Sequence, residues 1–169
     1  MNIPFSPPDI TEEEIEAVAE VMRSGWITTG PKTKELERKM AEFTHTNRGV
    51  CLNSATSCME MALRLFEIGP GDEVIVPAYT YTASASVVCH VGATLRLVDV
   101  EKGTFHIDYA AVESMINENT KAIIPVDLGG VMVDYDRIRA IVESKKSLFR
   151  PSSKLSLIHI SEPTRHLRI

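Results

Sequence analysis

The spacing of apolar positions changes character near residue 48. Before it, Ile15, Val18, Ala19 and Met22 recur at helical spacing behind Thr11-Glu12-Glu13-Glu14, a capping-box pattern, which predicts a surface helix over 11–24 stopped by Gly25. Pro31 suits the first turn of a second helix whose apolar face is Leu36, Met40 and Phe43, with a polar loop, Trp26 to Gly30, between the two. From residue 48 onward short apolar runs alternate with helical patterns. Strands are predicted at Gly49–Leu52, Glu73–Pro77, Thr94–Val98 and Lys121–Val126, and helices at 55–67, 82–91, 108–117 and 134–144, with Gly69-Pro70-Gly71 as a turn. Such alternation implies right-handed crossovers and an α/β fold with a mostly parallel sheet, covered by helices on both faces. Ligands of such sheets bind at the carboxyl ends of the strands. The segment after Leu52, Tyr79 to Thr82, and Asp127 to Gly130 all fall on that edge.

Composition narrows the picture. The 169 residues are enough for a real core, 44% are hydrophobic, and the formal net charge is -5. With no dense Lys/Arg run, nucleic acid is excluded as the main partner. The three cysteines, Cys51, Cys58 and Cys89, form no C-x-x-C pair and read as buried thiols rather than a disulfide framework. His45, His90, His106, His159 and His166 lack metal-ligand spacing, so no metal is expected. Neither a signal peptide nor an apolar run of about 20 residues is present. The chain is expected in the cytoplasm, away from membranes.

One stretch carries candidate chemistry. In GVCLNSATSCMEMALRLF, residues 49–66, a strand pattern runs through Asn53-Ser54-Ala55-Thr56-Ser57 into an amphipathic helix. Amides in the first turn of a helix lack intrahelical partners and sit at the positive end of its dipole, so small hydroxyl residues there can hold a phosphate. Ordinary helix capping is the competing reading.

That stretch stands in a fixed order with SGWITTGPKTKELE before it and GDEVIVPAYTYTASASVV, GATLRLVDVE and TKAIIPVDLGG after it. Together they resemble the DegT/DnrJ/StrS family of pyridoxal-phosphate-dependent sugar aminotransferases over about residues 3–150. The resemblance implies the N-terminal part of the large domain of a fold-type-I aminotransferase, truncated. It divides the chain into an N-terminal helical segment with a substrate loop (1–47), a partial cofactor-binding α/β domain (48–150) and a tail (151–169). It also implies pyridoxal 5'-phosphate as cofactor, a keto nucleotide sugar and an amino donor, typically glutamate, as substrates, and a homodimer at full length. Thr56 and Ser57 match the family's phosphate-binding positions, with Ala55 and Ser54 shaping the approach. Tyr81 matches the aromatic that stacks on the cofactor ring, with Tyr79 its chemical competitor. Thr28, Thr29 and Gly30 resemble the loop near the sugar nucleotide, where a plain connecting turn is the alternative. Asp127 stands where many members carry His; contact with the cofactor ring and contact with substrate are both open.

Two family parts do not occur in these residues: the D-A-A strand that partners the pyridinium nitrogen and the S-F-x-x-x-K motif of the Schiff-base lysine. Lys121, Lys145, Lys146 and Lys154 match neither place nor context and read as solvent-facing. The 169-residue polypeptide is therefore expected to be catalytically inactive, and poorly soluble through unpaired edges and uncovered apolar faces. Ser156 to Arg165, SLIHISEPTR, resembles translated sequencing adapter, so the tail is expected to be non-native or disordered. A sugar dehydratase of the same fold and a non-catalytic phosphate-ligand binding module are the alternatives. A nicotinamide-binding domain is disfavoured because no G-x-G-x-x-G follows a strand.

Overall fold

The computed structural model describes residues 7–151, and the tail from 152 lies outside the described residues. The chain divides into two compact units, one reaching Cys51 and the other starting at Leu52.

The first unit holds α1 (Glu12–Arg23) and α2 (Pro31–Thr44). The capping box forms: Glu13 N–H donates to Thr11 Oγ1 and Thr11 N–H to the Glu14 carboxylate. The Thr11 hydroxyl first, and the Thr11 backbone N–H second, donate to the Glu14 carboxylate and hold it below its ordinary pKa. Lys32 pairs with Glu20 across the two helices at 2.9 Å. Their predicted apolar faces are largely uncovered, Phe43 most of all at 81% exposure, and only Ala41 is buried. The predicted strand Gly49–Leu52 does not form. Its backbone lies instead along α2: Cys51 N–H donates to Glu37 Oε1 at 3.1 Å, and a Cβ on Gly49 would stand 2.7 Å from the Glu37 carbonyl oxygen. A strand needs a neighbour, and neither outer strand of the sheet pairs with this segment.

The second unit is built on a parallel sheet of order β2-β1-β3, with β1 at Glu73–Pro77, β2 at Thr94–Val98 and β3 at Thr120–Ile123. The first two match their predicted spans; β3 stops short of the predicted Val126. Alternating side chains of β1 serve two cores, as the period of a strand requires. Val74 and Val76 meet Leu63, Val87 and Val88 from α3 (Ala55–Leu65) and α4 (Thr82–His90). Ile75 faces the opposite side, against Val112, Ile138 and Ile141 from α5 (Tyr109–Met115) and α6 (Tyr135–Ser144). All three β1 residues are fully buried, which at about 25 cal/mol per Å² makes each worth roughly 1.5–3 kcal/mol. Both outer strands keep a free edge among the described residues, and Leu97 on β2 is 54% exposed.

Two further expectations are corrected. None of the cysteines is fully buried: Cys51 and Cys58 are half-buried and Cys89 is exposed, all as free thiols. Cys51 lies in the segment between α2 and the helix at Ala55–Leu65, whereas Cys58 and Cys89 lie on helices that bury other side chains, Leu63 on one and Val87 and Val88 on the other. Lys121 is not solvent-facing. It is the second residue of β3, with its side chain only 7% exposed, 4.0 Å from Asp72 and 5.5 Å from the Phe149 ring centroid, while its ammonium donates to the carbonyls of Glu118 and Arg150.

Candidate active site

Topology brings three predicted segments of the second unit to one sheet edge. A turn over Gly69 to Asp72 joins the end of α3 to the start of β1, closed by Asp72 N–H on the Gly69 carbonyl at 3.0 Å. An 11-residue helix and a five-residue strand are both about 16 Å long, so an antiparallel α3 begins where β1 ends. Helix α4 begins just after β1, and its last residue, His90, bonds through Nδ1 to Glu60 on α3 at 2.9 Å. Arg64 holds the other oxygen of Glu60 at 2.8 Å. The C-terminal halves of α3 and α4 are thus tied together and their N-termini share the carboxyl edge of the sheet. The loop after β3 leaves from that edge too.

The N-terminus of α3 has the chemistry of an anion cradle. Ser54 is the N-cap, extended at φ −162°, ψ 158°; its Oγ accepts from Ser57 N–H at 3.1 Å and donates to Ser57 Oγ at 3.1 Å. Ala55 and Thr56 supply first-turn amides that no intrahelical carbonyl can reach. The first turn carries no acidic residue, so nothing there repels a dianion.

Tyr79 and Tyr81 are told apart by what they touch. The Tyr79 ring is stacked on Phe105, centroids 5.0 Å apart and planes 19° off parallel. Tyr81, the N-cap of α4 without a capping side-chain bond, is 82% exposed. Tyr81 therefore keeps an open face.

Asp127 is already engaged by its own loop. Its Oδ1 accepts from Val133 N–H at 2.8 Å and its Oδ2 from the Tyr135 hydroxyl at 2.8 Å. Between them the chain turns through Gly129 and Gly130, both left-handed at φ 62° and 81°, a backbone that favours glycine.

Thr28, Thr29 and Gly30 belong to the first unit. Thr28 and Thr29 are exposed. The Trp26 indole N–H donates to the Thr29 carbonyl at 3.0 Å, and a Cβ on Gly30 would fall 2.3 Å from the indole ring. Trp26 is a packing residue of this turn. A groove between α5 and α6, lined among others by Tyr109, Glu113, Arg137 and Ser144, includes none of the predicted site residues. Its polar groups are partnered: Arg137 lies 4.3 Å over the Tyr109 ring, whose hydroxyl accepts from Asp134 N–H. Sequence reading passed over Phe105 altogether, since nothing local in KGTFHID marks that ring as a neighbour of Tyr79. No helix among the described residues is long and apolar enough to cross a membrane.

Comparison with known proteins adds independent findings. The family model described as the DegT/DnrJ/EryC1/StrS aminotransferase family matches residues 8–149. A protein of Streptococcus pneumoniae named as a sugar aminotransferase, solved in its PMP form, is similar at 59% identity and TM-score 0.90, over 93% of this chain and 40% of its own. An aminotransferase from Psychrobacter cryohalolentis is similar at 34% identity and TM-score 0.78, over 85% of this chain and 37% of its own. A GDP-4-keto-6-deoxymannose-3-dehydratase shares the fold, at 24% identity and TM-score 0.78 over 83% of this chain and 38% of its own. The chain thus spans about 40% of the length of the solved structures it matches.

Proposed function

The chain belongs to the DegT/DnrJ/EryC1/StrS aminotransferase family, and on that premise we propose that it is the N-terminal part of a pyridoxal-phosphate-dependent enzyme that transfers an amino group, from glutamate, to a keto nucleotide sugar. The observation that carries the cofactor half of this reading is the hydroxyl-lined, carboxylate-free N-terminus of α3 at the same sheet edge as the exposed Tyr81. Thr56 and Ser57, with the amide of Ala55, would hold the phosphate. When bound, pyridoxal phosphate supplies the carbon that accepts the amino group and a ring that takes up the charge left on the substrate. Tyr81 offers a flat face that keeps such a ring oriented and excludes water from one side. Asp127, fixed by Val133 and Tyr135, would touch ring or substrate only through its remaining lone pairs. Thr28, Thr29 and Gly30 are proposed as sugar-nucleotide contacts, and two subunits as the working assembly at full length.

The 169-residue polypeptide is proposed to bind cofactor without transaminating. Lys121 stands at the amino end of β3, on the edge away from the cradle, with its ammonium occupied. Lys145 caps α6 and lies 3.9 Å from Glu113. Neither is placed to attack a carbonyl at the carboxyl edge. Lys154 lies outside the described residues.

Titration with pyridoxal 5'-phosphate tests this, with pyridoxal and inorganic phosphate as controls. Surface lysines react with either aldehyde, so the informative result is a phosphate-dependent component that inorganic phosphate displaces and that the T56A/S57A variant loses. Equal binding of pyridoxal, or no effect of the variant, would refute the cradle. Sequencing the coding DNA beyond codon 150 tests the rest: a D-A-A strand and S-F-x-x-x-K are expected, and histidine in place of that lysine would point to a dehydratase.

A further inference from the structure

Tyr81 is 82% exposed, so its ring is not held by its own packing, and its place depends on the backbone that carries it. That backbone, Ala78 to Tyr81, is fastened at both ends. Ala78 N–H donates to the Val98 carbonyl at 2.7 Å, Ser84 N–H to the Tyr81 carbonyl at 3.1 Å, and the Thr80 and Ser84 hydroxyls are bonded at 3.0 Å. The remaining fastening is the Tyr79 ring, stacked on Phe105.

Phe105 comes from a stiff loop. Val100 and Ile107 form an antiparallel bridge, Glu101 N–H donates to the His106 carbonyl at 2.8 Å and Thr104 N–H to the Glu101 carbonyl at 3.0 Å. Ile107 roots the loop in the core at 1% exposure, and Arg137 reaches Glu101 at 3.3 Å. The loop nevertheless leaves Phe105 61% exposed. A large apolar ring on a rigid loop, set against a neighbour's ring and not against the core, contributes little to burial and much to the neighbour's orientation.

We propose that Phe105 is a positioning residue for the cofactor site: by stacking on Tyr79 it sets the segment from which Tyr81, two residues on, presents its face. This rests on the cofactor reading above. An offset aromatic stack has the strength to shift pyridoxal-phosphate affinity by about two- to tenfold.

The experiment is a cycle on the 169-residue chain with F105A, F105Y, Y81A and F105A/Y81A. Pyridoxal 5'-phosphate dissociation constants are read alongside the ring resonances of labelled tyrosine in the ligand-free chain. F105A is expected to weaken binding about two- to tenfold and to move the resonances of both Tyr79 and Tyr81, while F105Y restores both. In the Y81A background, F105A should have no further effect. A full F105A effect in that background, or a Tyr81 resonance unmoved by F105A, would overturn the proposal. If the parent chain shows no phosphate-dependent binding, the cofactor reading fails, and the ligand-free Tyr81 resonance alone decides the positioning claim: movement supports it and none overturns it.

Discussion

Replacing Asp127 by alanine removes two acceptors at once, from the Val133 amide and from the Tyr135 hydroxyl, each at 2.8 Å. Hydrogen bonds to a charged group are worth about 1.5–3 kcal/mol each. Asp127 is only half-buried, so water replaces part of what the phenol loses. Val133 is 4% exposed, and its amide keeps less access to a substitute. Together the two losses should ease opening of the 128–134 loop by about 2–3 kcal/mol, which is about 30- to 150-fold in an opening equilibrium. Amide hydrogen exchange read by mass spectrometry on peptides spanning that loop measures it directly, without requiring global two-state unfolding. Asp127→Asn is the control, since an asparagine oxygen still accepts from Val133 and its amide nitrogen can face the phenol oxygen; it should stay within about threefold of the parent. Unchanged exchange in Asp127→Ala would refute the clamp. Asn as harmful as Ala would mean that charge, not acceptor geometry, holds the loop.

Ser54→Ala should destabilise α3 by about 1 kcal/mol through loss of the N-cap, read as faster exchange of the Ser57 amide; an unchanged rate would show that the cap bond is not made. Arg64 first, and His90 second, hold the Glu60 carboxyl below its ordinary value of 4.5. A depressed carboxylate contributes stability above its unfolded pKa and loses it as pH falls through the folded one. The urea-midpoint gap between parent and Glu60→Gln should therefore shrink as pH falls below 4.5; a gap that widens in acid would reverse the argument. Gly30→Ala must push the Trp26 indole aside, so the indole N–H resonance of this sole tryptophan should exchange faster, and an unmoved resonance would show the turn to be more open than the structure has it. Exposed Met22 and Phe43 on the helices of the first unit, and exposed Leu97 on an outer strand of the second, should make the isolated chain associate with concentration in light scattering; a monodisperse species with a sharp unfolding transition would count against that.

The residues alone determined the elements whose signals are local. Thr11 and Glu14 announced α1, Pro31 opened α2, and the apolar runs Glu73–Pro77 and Thr94–Val98 became β1 and β2 with no change of boundary. Capping, proline geometry and short apolar strand runs act within a few residues, so a linear reading captures them. The start of α3 and its Ser54 cap were legible for the same reason. What tertiary structure decided depends on partners distant in sequence. Gly49 to Leu52 reads as a strand but finds no strand neighbour and lies along Glu37 instead. Lys121 looks like any surface lysine until Asp72, Glu118, Phe149 and Arg150 close around it. Tyr79 competes with Tyr81 in AYTYTAS by chemistry alone, and only the fold shows that Phe105 stacks on Tyr79 while Tyr81 stays exposed. Periodicity says which residues belong inside, whereas hydrogen bonds and ring contacts between remote segments decide which side chains remain available for chemistry.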